Sequence, residues 1–241
     1  MKIICCGDLH GNPLWKQIVN KYINEDVLYI FIGDYFDSYI YNCEQQCNNF
    51  LDIIAFKEAN PTKVILLIGN HDASYLNEDE NCSGYQQIGK YQIKPLLDKY
   101  KHLLQIAYKQ DNYLFSHAGI CPTFLDWTFG KDGWNIDNFV DKLNEMFVYK
   151  PLFLTFNGIN SYGDDVGQTP VWIRPRALMQ SNKNGILHKK FVQIVGHTTQ
   201  NQIDIEGKST GKKYFFIDTL NSNQEYFVIK NKAFQAHKIQ K

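Results

Sequence analysis

Arginine is nearly absent from this chain. Among 25 basic residues only two are arginines, Arg174 and Arg176, and both fall in the stretch VWIRPR. Net charge is absent too, since Lys+Arg and Asp+Glu both number 25. A general nucleic-acid binder or an anionic-membrane binder carries a basic excess, so neither partner is expected. Small anionic substrates stay open, because a local cluster or a metal can hold them. No apolar run approaches the roughly 18 residues that span a bilayer. The opening MKIICCGDLH has too short an apolar stretch before its charges to read as a signal peptide. There is no internal repeat and no low-complexity tract. The GKS at 207–209 lacks a glycine five residues before Gly207, where Gln202 stands, which excludes a phosphate loop of the usual kind. The six cysteines form no evident framework. Cys5 and Cys6 adjoin in an expected strand, so their side chains point to opposite faces. They read as small buried hydrophobes of a reducing, cytoplasmic compartment. Cys43 and Cys47 stand at i, i+4 on an expected helix. A zinc site there would need two further ligands, and the sequence offers no such pair nearby.

Hydrophobic residues are plentiful: they make up 44% of 241 residues, enough for one large α/β domain. KIICC (2–6), VLYIFI (27–32) and KVILLI (63–68) read as strands. Helical patterns follow at 13–23, 43–59 and 84–100. This βαβαβ order implies parallel pairing, with each strand ending in a polar loop. In open α/β sheets the ligand sits at the carboxyl ends of the strands. A strand–turn–strand follows over 104–116, turning at 110–112. The segment 120–188, rich in aromatics, Gly, Asn and Pro, reads as a cap-like insertion with a helix near 136–149. Strands follow at 191–195, 213–218 and 224–230, the last two as a hairpin.

Five short strings close these strands: GDLHG (7–11), GDYFD (33–37), GNHD (69–72), SHAG (116–119) and GHT (196–198). They bring Asp8, His10, Asp34, Asn70, His117 and His197 to one end of the sheet, with His71 and Asp37 beside them. Each alone is an ordinary polar strand end. Together they form a convergent titratable cluster. Mixed oxygen and imidazole donors suit Mn²⁺, Fe or Zn²⁺. They are too many for one ion and fit two.

In order and spacing these motifs resemble the metallophosphoesterase (calcineurin-like) superfamily, and most of all its PPP-type serine/threonine phosphatase branch, with small bacterial and phage members. The resemblance spans residues 7 to 198. It implies a four-layer α/β/β/α sandwich of two mixed sheets flanked by helices. It implies that Asp8 and His10 bind one metal, that Asn70, His117 and His197 bind a second, and that Asp34 bridges them. It implies that His71 is a general acid oriented by Asp37, and that Arg174, with Arg176 beside it, grips phosphate. The implied activity is hydrolysis of phosphomonoesters, phosphoproteins among them, by direct attack of a metal-bridging hydroxide. Two divalent metal ions, Mn²⁺ first, are the implied cofactors.

The chain also departs from the PPP pattern. Ser38 and Tyr39 stand where the family has Arg-Gly, and Ile68 precedes GNH where an arginine is frequent. Two phosphate-gripping arginines are missing, which opens a second reading as a nucleotide or dinucleoside-polyphosphate hydrolase or a phosphodiesterase. A third reading, a silent phosphatase fold kept for binding, meets the objection that every ligand position is filled. Trp127 and Trp134 in the insertion read as cap packing, or as lining of the cleft. His102, His188 and His237 match no motif and read as structural or surface residues.

Overall fold

Strand alternation explains the layering. In the computed structural model, which describes residues 2–77, 82–149, 154, 165–183, 185–208 and 210–239, the first strand β1 (Lys2–Cys6) sends Ile3 and Cys5 into one core and Ile4 and Cys6 into another. β2 (Val27–Phe31) and β3 (Val64–Leu67) divide in the same way, with Leu28, Ile30, Ile65 and Leu67 on the first side. That first core is the filling between two sheets. The second lies under helices.

The larger sheet has the order β10-β9-β1-β2-β3-β4, and the smaller one β5-β6-β7-β8. β1, β2, β3 and the short β4 (Leu104–Gln105) run parallel, while β9 (Glu225–Lys230) and β10 (Ala233–Lys238) form an antiparallel hairpin against β1. In the second sheet β5 (Ala107–Gln110) and β6 (Tyr113–Ser116) are antiparallel, and β6, β7 (Val192–Val195) and β8 (Tyr214–Phe216) are parallel. Both sheets are therefore mixed. Phe115, Ile194 and Phe215 from the smaller sheet meet Ile30, Phe227 and Ile229 from the larger. Each fully buried apolar side chain of this kind contributes about 1.5–3 kcal/mol.

Helices α1 (Trp15–Lys21) and α2 (Cys43–Ala59) cover the outer face of the larger sheet through Trp15, Ile18, Phe50 and Ile53. α2 starts at a reciprocal capping box between Asn42 and Gln45, and stops before Pro61. α3 (Asn70–Asn77) and α4 (Lys90–Tyr100) follow β3. The segment 120–188 carries α5 (Pro122–Phe129), α6 (Phe139–Tyr149), α7 (Pro175–Asn182) and α8 (Ile186–Lys190) among its described residues. The stretches 150–153 and 155–164 of the expected insertion lie outside the described residues. No helix among the described residues is long and apolar enough to cross a membrane.

Two expectations need correction. The apolar stretch from 104 to 110 is not one strand: the chain leaves the larger sheet at Gln105 and enters the smaller at Ala107. The crossing is held by Asn144 of α6, whose Oδ1 accepts from the backbone N–H groups of Ile106 and Ala107 at 2.9 and 3.1 Å. The strands near 213–218 and 224–230 are not a hairpin either. β8 joins the smaller sheet and β9 the larger. The real hairpin partner is β10, a half-exposed edge strand, AFQAHK, whose apolar signal is weak.

All six cysteines are free thiols. Cys43 and Cys47 approach to 3.9 Å, and among the described residues the Gly89 carbonyl and Gln92 are the further hydrogen-bonding neighbours of Cys43.

Candidate metal centre

The strand ends deliver the motif residues to one place. Asp8 follows β1, Asp34 follows β2, and Asn70 opens α3 just past β3. His117 follows β6 and His197 follows β7, from the other sheet. Cross-links join the two sheets here. The backbone N–H of His197 donates to both oxygens of Asp8 at 3.0 Å. His117 Nδ1 meets the carbonyl of Ile32 at 3.0 Å.

The tight turns impose a conformational cost. His10, Asp34, Asp37 and His197 all have positive φ, at 44°, 53°, 65° and 63°. Asp and His tolerate this left-handed region better than most residues, yet it remains unfavourable for any L-residue with a side chain. Strain of this kind persists only where the surroundings fix it, and it clusters at functional sites. Two glycines allow close approach. A Cβ on Gly69 would stand 2.0 Å from Asp34 Oδ1, and one on Gly196 would stand 2.0 Å from Asp8 Oδ1.

The histidine rings are oriented by main-chain carbonyls. His10 Nδ1 lies 2.6 Å from Phe36 O, His117 Nδ1 lies 3.0 Å from Ile32 O, and His197 Nε2 lies 3.1 Å from Trp172 O. A carbonyl only accepts, so each of these nitrogens carries the proton. A ring that is neutral and donates to a carbonyl presents the lone pair of its other nitrogen inward. His117 Nε2 and His197 Nδ1 both stand 2.9 Å from Asn70 Oδ1, which is itself an acceptor. The Asn70 amide nitrogen faces Cys82 Sγ at 3.3 Å, which keeps the carbonyl oxygen turned inward. Lone pairs facing lone pairs are unfavourable unless a cation sits among them. This pattern of imidazoles held by carbonyls is how metal-binding histidines are normally oriented. The donor set therefore fits divalent metal.

The carboxylates point the same way. Ligand atoms of Asp8, Asp34 and His117 lie within 4.8 Å of one another, and so do those of His10, Asp34 and His71. Asp34 is common to both groups. The grouping differs from the implied one in that Asp8 sits with His117, and His71 with His10. The grip of the His197 N–H on Asp8 accounts for the lean of that carboxylate. Burial, with Asp218 and Asp34 nearby, pushes Asp8 well above the usual carboxylate range. Burial would push Asp34 up as well, but His117, His71 and His10 outweigh it and hold this carboxyl well below the usual range. Burial, reinforced by His117 and Arg174, keeps His197 far below an ordinary histidine, so it stays neutral. Burial also raises Asp218. Crowded buried carboxylates beside imidazoles, with the His197 ring held neutral among them, suit a cation by composition.

His71 is differently placed. Its Nδ1 lies 2.8 Å from Asp37 Oδ2, and its backbone N–H donates to Asp34 Oδ1 at 3.0 Å. Burial disfavours the imidazolium, but Asp34 and Asp37 together raise the ring to about 9. Asp37 is buried and also accepts from the Tyr75 hydroxyl, which in turn accepts from Gln86 N–H at 3.0 Å.

A cavity of about 370 Å³ opens over this cluster, lined among others by Asp8, His10, Asp34, His71, Arg174 and His197. Asn70 and His117 are buried and are not among its lining residues. Arg174 Nη1 donates to His197 O at 3.3 Å and to Thr198 Oγ1 at 3.1 Å. Arg176 is exposed on α7 and does not line the cavity. Trp127 and Trp134 do not line it either; the indole N–H of Trp134 donates to Asp126. A larger cleft of about 530 Å³ lies away from the cluster between α1 and α2, lined by residues such as Trp15, Ile23 and Phe56.

Three contributors were given no role in the motif reading. Asp72 accepts from the N–H groups of Asp34, Tyr35 and Gly69 at 2.8–2.9 Å, and so ties the second and third motifs together. Its presence in GNHD was the available signal. Asp218, past β8, accepts from Thr199 Oγ1 at 2.7 Å and lines the cavity. Asn221 donates to the Asp8 carbonyl at 2.8 Å. Neither carries a sequence signal beyond its place after a strand. His102, His188 and His237 lie elsewhere, against Lys99 O, Tyr214 and Tyr226 respectively.

Paired mixed sheets flanked by helices, with acid and imidazole side chains gathered at their joined strand ends, are the metallophosphoesterase fold. The chain belongs to the calcineurin-like phosphoesterase family, whose profile matches residues 1–201. A serine/threonine-protein phosphatase of Caenorhabditis elegans is 35% identical over 75 residues, covering 30% of this chain and 16% of that protein. The chain spans less than half the length of the curated relatives it matches. Among solved structures, the cold-active protein-tyrosine phosphatase of a psychrophilic Shewanella species is similar in fold, with a TM-score of 0.65 and 16% identity over 99% of this chain and 80% of that one. A protein serine/threonine phosphatase of Saccharomyces cerevisiae with similarity to human phosphatase PP5 has a TM-score of 0.58 and 18% identity, over 100% of this chain and 81% of that one.

Proposed function

We propose that this protein hydrolyses phosphomonoesters, phosphoproteins among them, at a dinuclear metal centre. The observation that carries the proposal is the inward convergence of imidazole lone pairs on Asn70 and Asp34. Asp8, His10 and Asp34 would hold one divalent ion, and Asp34, Asn70, His117 and His197 a second. Such ions, Mn²⁺ first and Fe or Zn²⁺ next, supply Lewis acidity that neutralises phosphate and acidifies water.

The chain's own residues do the rest. Arg174, anchored on His197 O and Thr198, presents a planar cation that grips phosphate oxygens. Arg176, outside the cavity, is not part of this proposal. Water gives one proton to solvent and bonds through its oxygen to phosphorus, the ester P–O bond breaks, and its electron pair leaves on the ester oxygen. His71, kept cationic by Asp34 and Asp37, gives that oxygen its proton. Asp37 fixes the ring and stabilises its charge. Ser38 lines the cavity where an arginine was expected from the family pattern, and among the described lining residues Arg174 is the one arginine, with no lysine. This favours, as a second reading, a diester or dinucleoside-polyphosphate substrate, whose internal phosphate carries less charge to neutralise. Comparing p-nitrophenyl phosphate with bis-p-nitrophenyl phosphate under Mn²⁺ tests the choice. A preference for the monoester supports the first reading, and a preference for the diester supports the second.

A further inference from the structure

The cavity rim holds two side chains that the reaction does not use. Tyr39 and Ile40 line the cavity and are each 81% exposed. They give the mouth of a polar site one aromatic and one aliphatic surface within reach of a bound ligand. They follow Asp37 in the chain, on the side of the cavity where His71 meets Asp37. The loop beneath them is fixed. Ser38 N–H donates to Gln46 Oε1 at 3.1 Å, and Ser38 Oγ accepts from both Ile40 N–H and Tyr41 N–H at 3.1 Å. The hydroxyl end of the Tyr39 ring lies beside Gly84: a Cβ there would stand 3.3 Å from Tyr39 Cζ and 3.2 Å from Asp37 O.

His71 protonates the leaving oxygen, so whatever that oxygen carries lies on this side of the cavity. We propose that Tyr39, supported by Ile40, is a specificity-determining platform for an aromatic leaving group, making aryl phosphate esters the favoured substrate class. This rests on the phosphoesterase reading above. A flat ring stacks on Tyr39 and packs against Ile40, whereas an alkyl chain gains only the packing. The phosphate end, meeting Arg174 and the cluster, is the same for both.

The test uses non-hydrolysable ligands on Mn²⁺-loaded full-length protein: phenylphosphonate against methylphosphonate by calorimetry. The wild type is expected to favour the phenyl compound by about two- to twelvefold, the range of an aromatic pair contact. Tyr39→Ala is expected to bring that ratio close to that of packing on Ile40 alone, and Tyr39→Phe to restore it. Tyr39 is exposed, so its replacement leaves the core untouched, and metal content checks the site. The kcat/KM ratio of phosphotyrosine to phosphoserine should fall in Tyr39→Ala by a similar factor. Unchanged ratios in Tyr39→Ala, with phosphoserine still hydrolysed by the wild type, would overturn this inference alone. Failure of both phosphonates to bind, together with no hydrolysis, would overturn the phosphoesterase reading with it.

Discussion

Replacing Asp37 by asparagine keeps the shape of the His71 environment and removes one charge. Asp37 Oδ2 lies 2.8 Å from His71 Nδ1, and both groups are largely withdrawn from water. An opposite charge at this range moves a histidine by about 1–3 pH units, or about 1.4–4 kcal/mol between its two protonation states. In the metal-free protein the wild-type ring is raised to about 9. Asp37→Asn should bring its midpoint to about 6–8. The folded ring titrates above its unfolded value, so the stabilisation it provides is complete below about pH 6.5 and is lost as pH rises through about 9. Asp37→Asn should therefore cost more stability at pH 6 than at pH 9.5. Histidine-labelled, EDTA-treated protein followed by NMR gives the midpoints, with His71→Gln to assign the signal. A variant midpoint still near the wild-type value would refute the reasoning, and so would a stability deficit that is flat with pH.

Further outcomes follow from the same geometry. Asp34→Asn should abolish turnover and lower the bound metal measured by elemental analysis, because one carboxylate serves both ligand groups; full activity in that variant would rule out the shared role. His71→Ala should slow esters with poor leaving groups by about 10²–10⁴-fold and p-nitrophenyl phosphate far less, with metal content unchanged; equal losses for both would remove the acid role. Asp72→Ala leaves three buried N–H donors without their acceptor, so thermal unfolding should show a loss of roughly 3 kcal/mol or more. A change below about 1 kcal/mol would show that these donors find other partners. Arg174→Ala should raise KM for phosphomonoesters at least tenfold, the scale of a charge-assisted contact, and an unchanged KM would remove Arg174 from substrate binding.

Much of this was legible in the chain itself. The three N-terminal strands follow from apolar runs closed by Gly-plus-polar strings, and α2 from the helical pattern at 43–59. Parallel order then forces Asp8, Asp34 and Asn70 to one end. The smaller sheet was less legible. LLQIAYKQ is continuous in pattern, yet it changes sheet at Ile106 because Asn144, distant in sequence, satisfies the crossing. β8 and β9 alternate equally well, and alternation does not say which sheet a strand joins. At the site, the motif residues were readable, but their backbone strain and their carbonyl partners were not. Phe36, Ile32 and Trp172 contribute main-chain oxygens, which leave no trace in residue type. Asp218 and Asn221 follow β8 after a turn with no motif of its own.

The most direct test is a manganese titration with anomalous diffraction from the loaded crystal. Two ions per chain are expected, one against Asp8, His10 and Asp34 and one against Asp34, Asn70, His117 and His197. A single ion, or manganese bound away from these side chains, would contradict the account.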